Sequence, residues 1–261
     1  MIFLKLGGSL ITDKAEPETV RESILHQVAG EIAAFLKENP SERLLLGHGS
    51  GSFGHFHASK YNTHLGATSS EEWHGFSEVW ASANKLNTIV METLRNAGVP
   101  AVRFSPSSTV VAENGRIASM EIEPILHCLN AGLLPVVHGD TAFDRKQGAT
   151  ILSTEAVFLF LAGQLKPDRI LLAGIESGVY QQYTDRKLLL SEITPSKAAE
   201  IDLRGSEATD VTGGMLDKVS TALELLKKYP WIQIHIFSGV EPGAVYKALT
   251  GEPGGTRISQ P

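Results

Sequence analysis

Short apolar runs that stop abruptly at glycine restrict this chain more than any other feature. Arg43-Leu44-Leu45-Leu46-Gly47 is apolar without alternation, the pattern of a strand covered on both faces. Ile2 to Leu6 has the same compact character and ends at Gly7-Gly8-Ser9. Ala101 to Phe104, Leu133 to Val137, Arg169 to Ala173 and Trp231 to Phe237 read as further strands. Longer stretches with helical spacing lie between them. Val20, Ile24, Val28, Ile32 and Leu36 recur in steps of four and share one helix face. Helices are likewise expected from Glu71 to Ala97, Ile122 to Ala131, Ser153 to Leu165, Gly214 to Lys228 and Gly243 to Leu249. Such alternation implies an α/β fold with a mostly parallel sheet and helices on both faces. No repeat or low-complexity linker divides the 261 residues, so one domain is expected, with a soft lobe boundary near Gly148. The polar stretch from Tyr183 to Asp210 reads as a hairpin, helix and loop outside the main sheet.

Composition removes several function classes. A formal charge of -6 argues against a nucleic-acid binder, which needs a basic surface to meet phosphates. A hydrophobic share of 42% with 20% charged residues is that of a soluble globular protein. The longest apolar run, Ala156 to Ala162, is too short to span a bilayer, and no basic, apolar and small-residue leader opens the chain. A cytoplasmic protein without membrane partners is the expectation. Cys128, the single cysteine, sits in an apolar helical stretch and reads as a small core residue.

In a parallel sheet every C-terminal strand end lies on one edge, where ligands bind. Three expected strands end there in glycine-bearing turns: Gly7-Gly8-Ser9, the loop His48 to His55, and His138-Gly139-Asp140. Glycine lets the backbone approach an anion closely and turn N–H groups toward it. Gly49-Ser50-Gly51-Ser52-Phe53-Gly54 is a literal G-x-G-x-x-G, yet no second strand with a terminal acid follows it. Glu71 and Glu72 read instead as first-turn residues of a helix, which weakens a dinucleotide-binding reading. A G-x-x-x-x-G-K-[ST] loop is absent. Lys5 lies inside a buried apolar run, which is costly unless an anion meets it. Lys14 follows the first turn, and Lys218 follows Thr212, which can cap a helix whose N-terminus faces a phosphate. The nine histidines carry no metal-ligand spacing. His48 and His138 end apolar strands and are suited to orient loops; His55, closing the glycine turn, is the functional candidate.

These segments resemble, in the right order and across essentially the whole chain, the motifs of the amino acid kinase superfamily. The resemblance rests on Lys5-Leu6-Gly7-Gly8-Ser9 with Lys14, the loop His48 to His55, Pro135-Val136-Val137-His138-Gly139-Asp140, and Asp210-Val211-Thr212-Gly213-Gly214-Met215 with Lys218. The loop's closing histidine and the His-Gly-Asp are similar to the isopentenyl phosphate kinase branch. That resemblance implies a three-layer α/β/α sandwich, usually a homodimer. Acceptor phosphate would sit over residues 1–148 and ATP over residues 149–261. There are departures: Ser153-Thr154-Glu155 stands where the branch has Ser-Gly-Asp, Ala173-Gly174-Ile175-Glu176-Ser177-Gly178 where it has Thr-Asp-x-Asp-Gly, and Ser50 for a glycine.

By the same resemblance, Lys5, Lys14 and Lys218 neutralise the phosphoryl group in transfer, Glu155 holds the lysines, and His55 holds the acceptor phosphate. Gly49, Ser50, Gly54 and Gly139 surround that phosphate. Phe76 and Val79, on the helix after the loop, would wall an isoprenoid tail. ATP would meet Lys5, Gly7, Gly8, Ser9, Ser50, Gly174, Gly178, Gly213, Gly214 and Lys218. Mg²⁺ would be held mainly by ATP phosphates, without a protein cage. A fosfomycin-type kinase and a non-catalytic nucleotide sensor are the alternatives.

Overall fold

This computed structural model describes residues 1–182, 185–198, 201 and 214–260, and of His55 the backbone alone. Thr212 and Gly213 therefore lie outside the described residues. The six expected apolar strands assemble, together with two short strands that were not expected, into one eight-stranded sheet. Its order is Glu192–Ile193, Thr256–Ile258, Gln233–Ser238, Arg169–Gly174, Ile2–Leu6, Leu44–His48, Leu134–His138 and Ala101–Arg103. Every neighbouring pair is parallel except Gln233–Ser238 with Thr256–Ile258. Ile2–Leu6, Leu44–His48 and Leu134–His138 are buried at every position, as apolar runs without alternation require.

Strand period decides what each face carries. Phe3, Leu45 and Val137 point to the side covered by the helices Thr154–Leu165 and Gly214–Lys228. Leu4, Leu46 and Val136 point to the other side, against Glu22–Glu38 and Ser70–Asn96. The result is the three-layer α/β/α sandwich. Cys128 is buried in the first of these cores, where burial raises its thiol pKa. Among the described residues no helix is long and apolar enough to cross a membrane.

Several parts of the fold were not legible as strands or helices, among them Gly8–Ile11, Pro106–Thr109 and Thr256–Ile258, which are too short to show a pattern. Gly51–Tyr61, expected as loop, is a helix; it starts at glycine and carries no apolar stripe that periodicity could detect. A second sheet, ordered Gly148–Leu152, Asp140–Asp144, Val110–Glu113 and Arg116–Met120, lies beside the main one. Its strands are short, and Asn114-Gly115 turns two of them through positive φ values of 51° and 74°. Of the hairpin, helix and loop expected from Tyr183 to Asp210, the hairpin starts earlier, as Tyr180–Gln182 with Lys187–Leu189, and residues 202–210 lie outside the described residues. Glu192–Ile193 joins the main sheet instead of lying outside it. Two residues are too few to show a strand pattern.

Candidate active site

The three glycine turns meet because their strands are neighbours. The N–H of Gly7 donates to the Ala173 carbonyl at 2.8 Å, that of Gly49 to Leu6 at 3.0 Å, and that of Gly139 to His48 at 3.1 Å. Each bond extends a parallel ladder by one step, and Gly54 N–H donates to Ser50 within its helix at 3.2 Å. The N–H groups of Gly49, Gly54 and Gly139 are therefore taken by backbone. What these glycines provide is proximity. A Cβ at Gly8 would stand 2.5 Å from the Gly51 nitrogen, so two turns from separate strands can touch only with glycine there.

A cavity opens over this rim, and three lysines enter it. Lys5 leaves the strand Ile2–Leu6 toward the helix Thr154–Leu165 and donates to the Glu155 carboxylate; 7% and 8% of the two residues are exposed. Lys14 comes from the turn after Thr12–Asp13, and Lys218 from the helix Gly214–Lys228. The Lys218 Nζ would lie 4.0 Å from a Cβ built on Gly174, which places Gly174 beside that ammonium. Gly7, Gly8, Ser9, Gly49, Ser50, Gly139 and Gly214 line the same cavity. Gly178 lines neither this cavity nor the next; a Cβ there would stand 2.6 Å from Thr256 Oγ1 at the sheet edge.

Glu155 sits in the first turn of its helix, behind the Ser153 cap, whose hydroxyl accepts from Ala156 N–H at 3.1 Å. Burial by itself would raise the Glu155 carboxyl. The Lys5 ammonium, the Lys218 ammonium and its own N–H outweigh burial and hold it below the ordinary range. It is a carboxylate at neutral pH, and the extra methylene relative to aspartate does not prevent the ion pair. Thr154, where the branch has glycine, donates its hydroxyl to the His48 carbonyl at 2.7 Å.

A second cavity of about 400 Å³ continues from the first through Ser50, Gly139, Ile151, Leu152 and Ser153. Val79, Ala83, Ala58 and Ala156 make its wall largely apolar, with Gly54 at the glycine-turn end and Asp140, His64 and Asp217 as polar groups. Burial pushes Asp140 up to about 6, against the N–H groups of Ser107 and Thr141 and the charge of Arg103. Phe76 does not line this cavity. It packs in an aromatic group with Trp73 and Phe143, at ring separations of 5.6 and 5.0 Å. His55 lies in Gly51–Tyr61, directly after Gly54.

Sequence reasoning missed Asn87, Ile151 and Leu152, and gave Asp140 no role beyond its motif. Asn87 had a signal: it is a polar residue one turn beyond Ala83 on the buried stripe of Ser70–Asn96. The acid of a dinucleotide-binding unit is not available. Glu72 instead completes a capping box with Ser69, accepting from Ser69 N–H at 2.8 Å.

The amino acid kinase family model matches residues 1–238. The chain belongs to the amino acid kinase family. It is 35% identical to the isopentenyl phosphate kinase of Methanothermobacter thermautotrophicus, over 99% of both chains. It is 34% identical to that of Haloferax volcanii, over 99% of this chain and 98% of the relative. A solved isopentenyl phosphate kinase structure superimposes with a TM-score of 0.82 at 31% identity, covering 99% of this chain and all of the other. Within the amino acid kinase family the chain is thus closely related to the isopentenyl phosphate kinases.

Proposed function

We propose that this chain transfers the γ-phosphoryl group of ATP to isopentenyl phosphate, forming isopentenyl diphosphate. The observation that carries this reading is the joining of two unlike cavities through Ser50 and Gly139. One presents Lys5, Lys14 and Lys218, and the other is a largely apolar chamber of about 400 Å³. A phosphorylated isoprenoid has that same division.

The chemistry asks little of the protein beyond position and charge. A phosphate monoester has a second pKa near ~6, so its attacking oxygen is already anionic at neutral pH and needs no general base. Two polyanions must approach in line, and cations must meet the charge that grows during transfer. Lys14 and Lys218 reach the rim from separate segments and serve that role. Lys5 serves it under the hold of Glu155, which keeps the ammonium aimed. His55 takes the acceptor phosphate, and Val79 walls the tail; Phe76 supports that wall from behind. Gly8, Ser9 and Gly214 line the lysine cavity and, with Gly213, receive ATP. Mg²⁺, when bound, would be held mainly by the nucleotide phosphates and would supply charge screening there, since Glu155 is already engaged by Lys5. Acceptor over residues 1–148 and nucleotide over residues 149–261 is the division of labour this reading gives the two lobes.

We also assign the chain a homodimer. The edge strand Ala101–Arg103 has an outer side without a partner among the described residues, and Val102 on it is 37% exposed. Light scattering at several concentrations tests this.

The deciding assay offers Mg-ATP with isopentenyl phosphate and, separately, fosfomycin. Rapid turnover of isopentenyl phosphate alone is expected. Turnover of fosfomycin with none of isopentenyl phosphate would replace the substrate, and ATP binding without turnover of either would remove the enzyme reading.

A further inference from the structure

His48 and His138 end adjacent parallel strands in register, and their rings stack 5.4 Å apart at 9°. His48 Nδ1 lies 3.1 Å from the Gly49 carbonyl oxygen, and His138 Nδ1 lies 3.0 Å from that of Gly139. A carbonyl only accepts, so both Nδ1 atoms carry hydrogen. The rings are 1% and 0% exposed. Burial, followed for His48 by His138 and Lys5, pushes their pKa values down to about 3 and about 4, with Arg103 adding to the effect at His138. Both rings are therefore neutral, and each Nε2 must accept. Its neighbours fit that need: Asn87 Nδ2 at 2.9 Å from His48 and the Ser105 hydroxyl at 3.2 Å from His138.

Asn87 makes a sacrifice in this arrangement. It is fully buried and its Oδ1 has no partner among the described residues. Flipping the amide would satisfy Oδ1 only with a hydrogen on His48 Nε2. That tautomer would set a lone pair against the Gly49 carbonyl and orphan an N–H, which costs more than an orphan oxygen.

We propose that His48, with its tautomer fixed by Asn87, is a positioning residue that pins the Gly49–Ser50 peptide so that the Ser50 N–H faces the acceptor phosphate. The inference rests on the acceptor site proposed above. All peptides among the described residues are trans, so carbonyl and N–H of one unit point opposite ways. Drawing the Gly49 oxygen down to the ring turns the Ser50 N–H to the other side, and Ser50 lines both cavities. Position 49 has to be glycine, because a Cβ would stand 2.9 Å from the Gly8 nitrogen. Glycine leaves that peptide free to rotate, and the imidazole supplies the missing constraint. His138 does the same for the Gly139 carbonyl and braces His48 by stacking.

Asn87→Asp tests this by placing an acceptor where a donor stood. Against a carboxylate, neutral His48 carries its hydrogen on Nε2 and releases the Gly49 carbonyl; protonated His48 keeps both bonds. Relative to wild type at the same pH, kcat/KM for isopentenyl phosphate should fall about 10- to 100-fold at pH 8, the weight of one hydrogen bond to a charged group. The deficit should shrink toward pH 6, while KM for ATP stays near wild type. Nitrogen NMR of wild-type rings should show Nδ1–H for His48 and His138 without titration from pH 8 to 5. Asn87→Leu, which only removes the donor, should cost about 10-fold at all pH values and serves if the charged variant does not fold. An Nε2–H tautomer for wild-type His48, or a pH-independent ratio in folded Asn87→Asp, overturns the proposal, as does an unaffected Asn87→Leu. Wild type inactive on isopentenyl phosphate would instead overturn the functional reading, and the ring spectra would still report the tautomer.

Discussion

Lys5 and His48 stand near the ends of adjacent strands and bury polar groups on opposite faces of one sheet, by opposite means. Lys5 sits in an ion pair, because a carboxylate meets it and a cavity borders both. His48 gives up its charge, because its surroundings are a second imidazole, an amide and apolar side chains. The difference is one of access. The face that opens to the cavity can hold ions in pairs, whereas the closed face under Ser70–Asn96 holds only neutral groups whose hydrogens are placed by neighbours. One face supplies charge for transfer, and the other supplies shape for the turns that receive it.

The strongest way to break this contrast is to discharge the open face. Lys14→Met and Lys218→Met should each lower kcat by about 10²–10³-fold, with a smaller change in KM for the acceptor, because charge demand peaks in the transition state. The double variant should lose less than the sum. Strict additivity, or an effect on KM alone, would separate the two lysines from a common phosphoryl group.

Glu155→Gln leaves Lys5 buried without its counter-charge. A stability loss of about 3 kcal/mol is expected, together with a fall in kcat. Glu155→Asp keeps the charge and should lose much less. Equal melting temperatures for the Gln variant and wild type would show that Lys5 does not depend on the pair.

Lowering pH acts on the closed face. The stability contributed by neutral His48 and His138 is complete above the unfolded value of 6.5 and is lost as pH falls toward about 3 and about 4. By pH 5 the loss should reach about 2 kcal/mol per ring. Asp140 works the other way: raised to about 6, it takes up its proton in the folded state first and returns about 1 kcal/mol. Urea midpoints from pH 8 to 5 should fall, and Asp140→Asn should steepen that fall. A flat profile would mean the rings are not buried neutral.

The smallest effect concerns the chamber wall. Val79→Ala should raise use of geranyl over isopentenyl phosphate by a factor of several, since each buried methylene is worth about 0.8 kcal/mol. Phe76→Ala, outside the cavity, should lower stability by about 3 kcal/mol and leave the ratio unchanged. The reverse pattern would exchange the two residues' roles.

Much of the fold was legible because its signals are local. Apolar runs without alternation marked the central strands, and a step of four marked Glu22–Glu38. Glu71 and Glu72, read as first-turn acids, marked the start of Ser70–Asn96. Gly51–Tyr61 and the second sheet were not legible, since neither carries a sustained apolar period. The meeting of the glycine turns followed from parallel topology alone. The split between Phe76 and Val79 did not: both are buried on one helix, and three residues of spacing cannot say which faces a cavity.

By itself, then, the sequence determined the six apolar strands, the helices with a clear apolar stripe, the edge where the turns gather and the family. Each is a matter of short-range pattern or of motifs in order. That Glu155 holds the lysines followed from resemblance; only the tertiary structure decided that Lys5 is the lysine it meets directly, that Lys218 stands beside Gly174, and that Asn87 reaches His48. Those contacts depend on how each helix is rotated and docked against the sheet. Packing of whole faces sets that rotation, and no local run of residues encodes it.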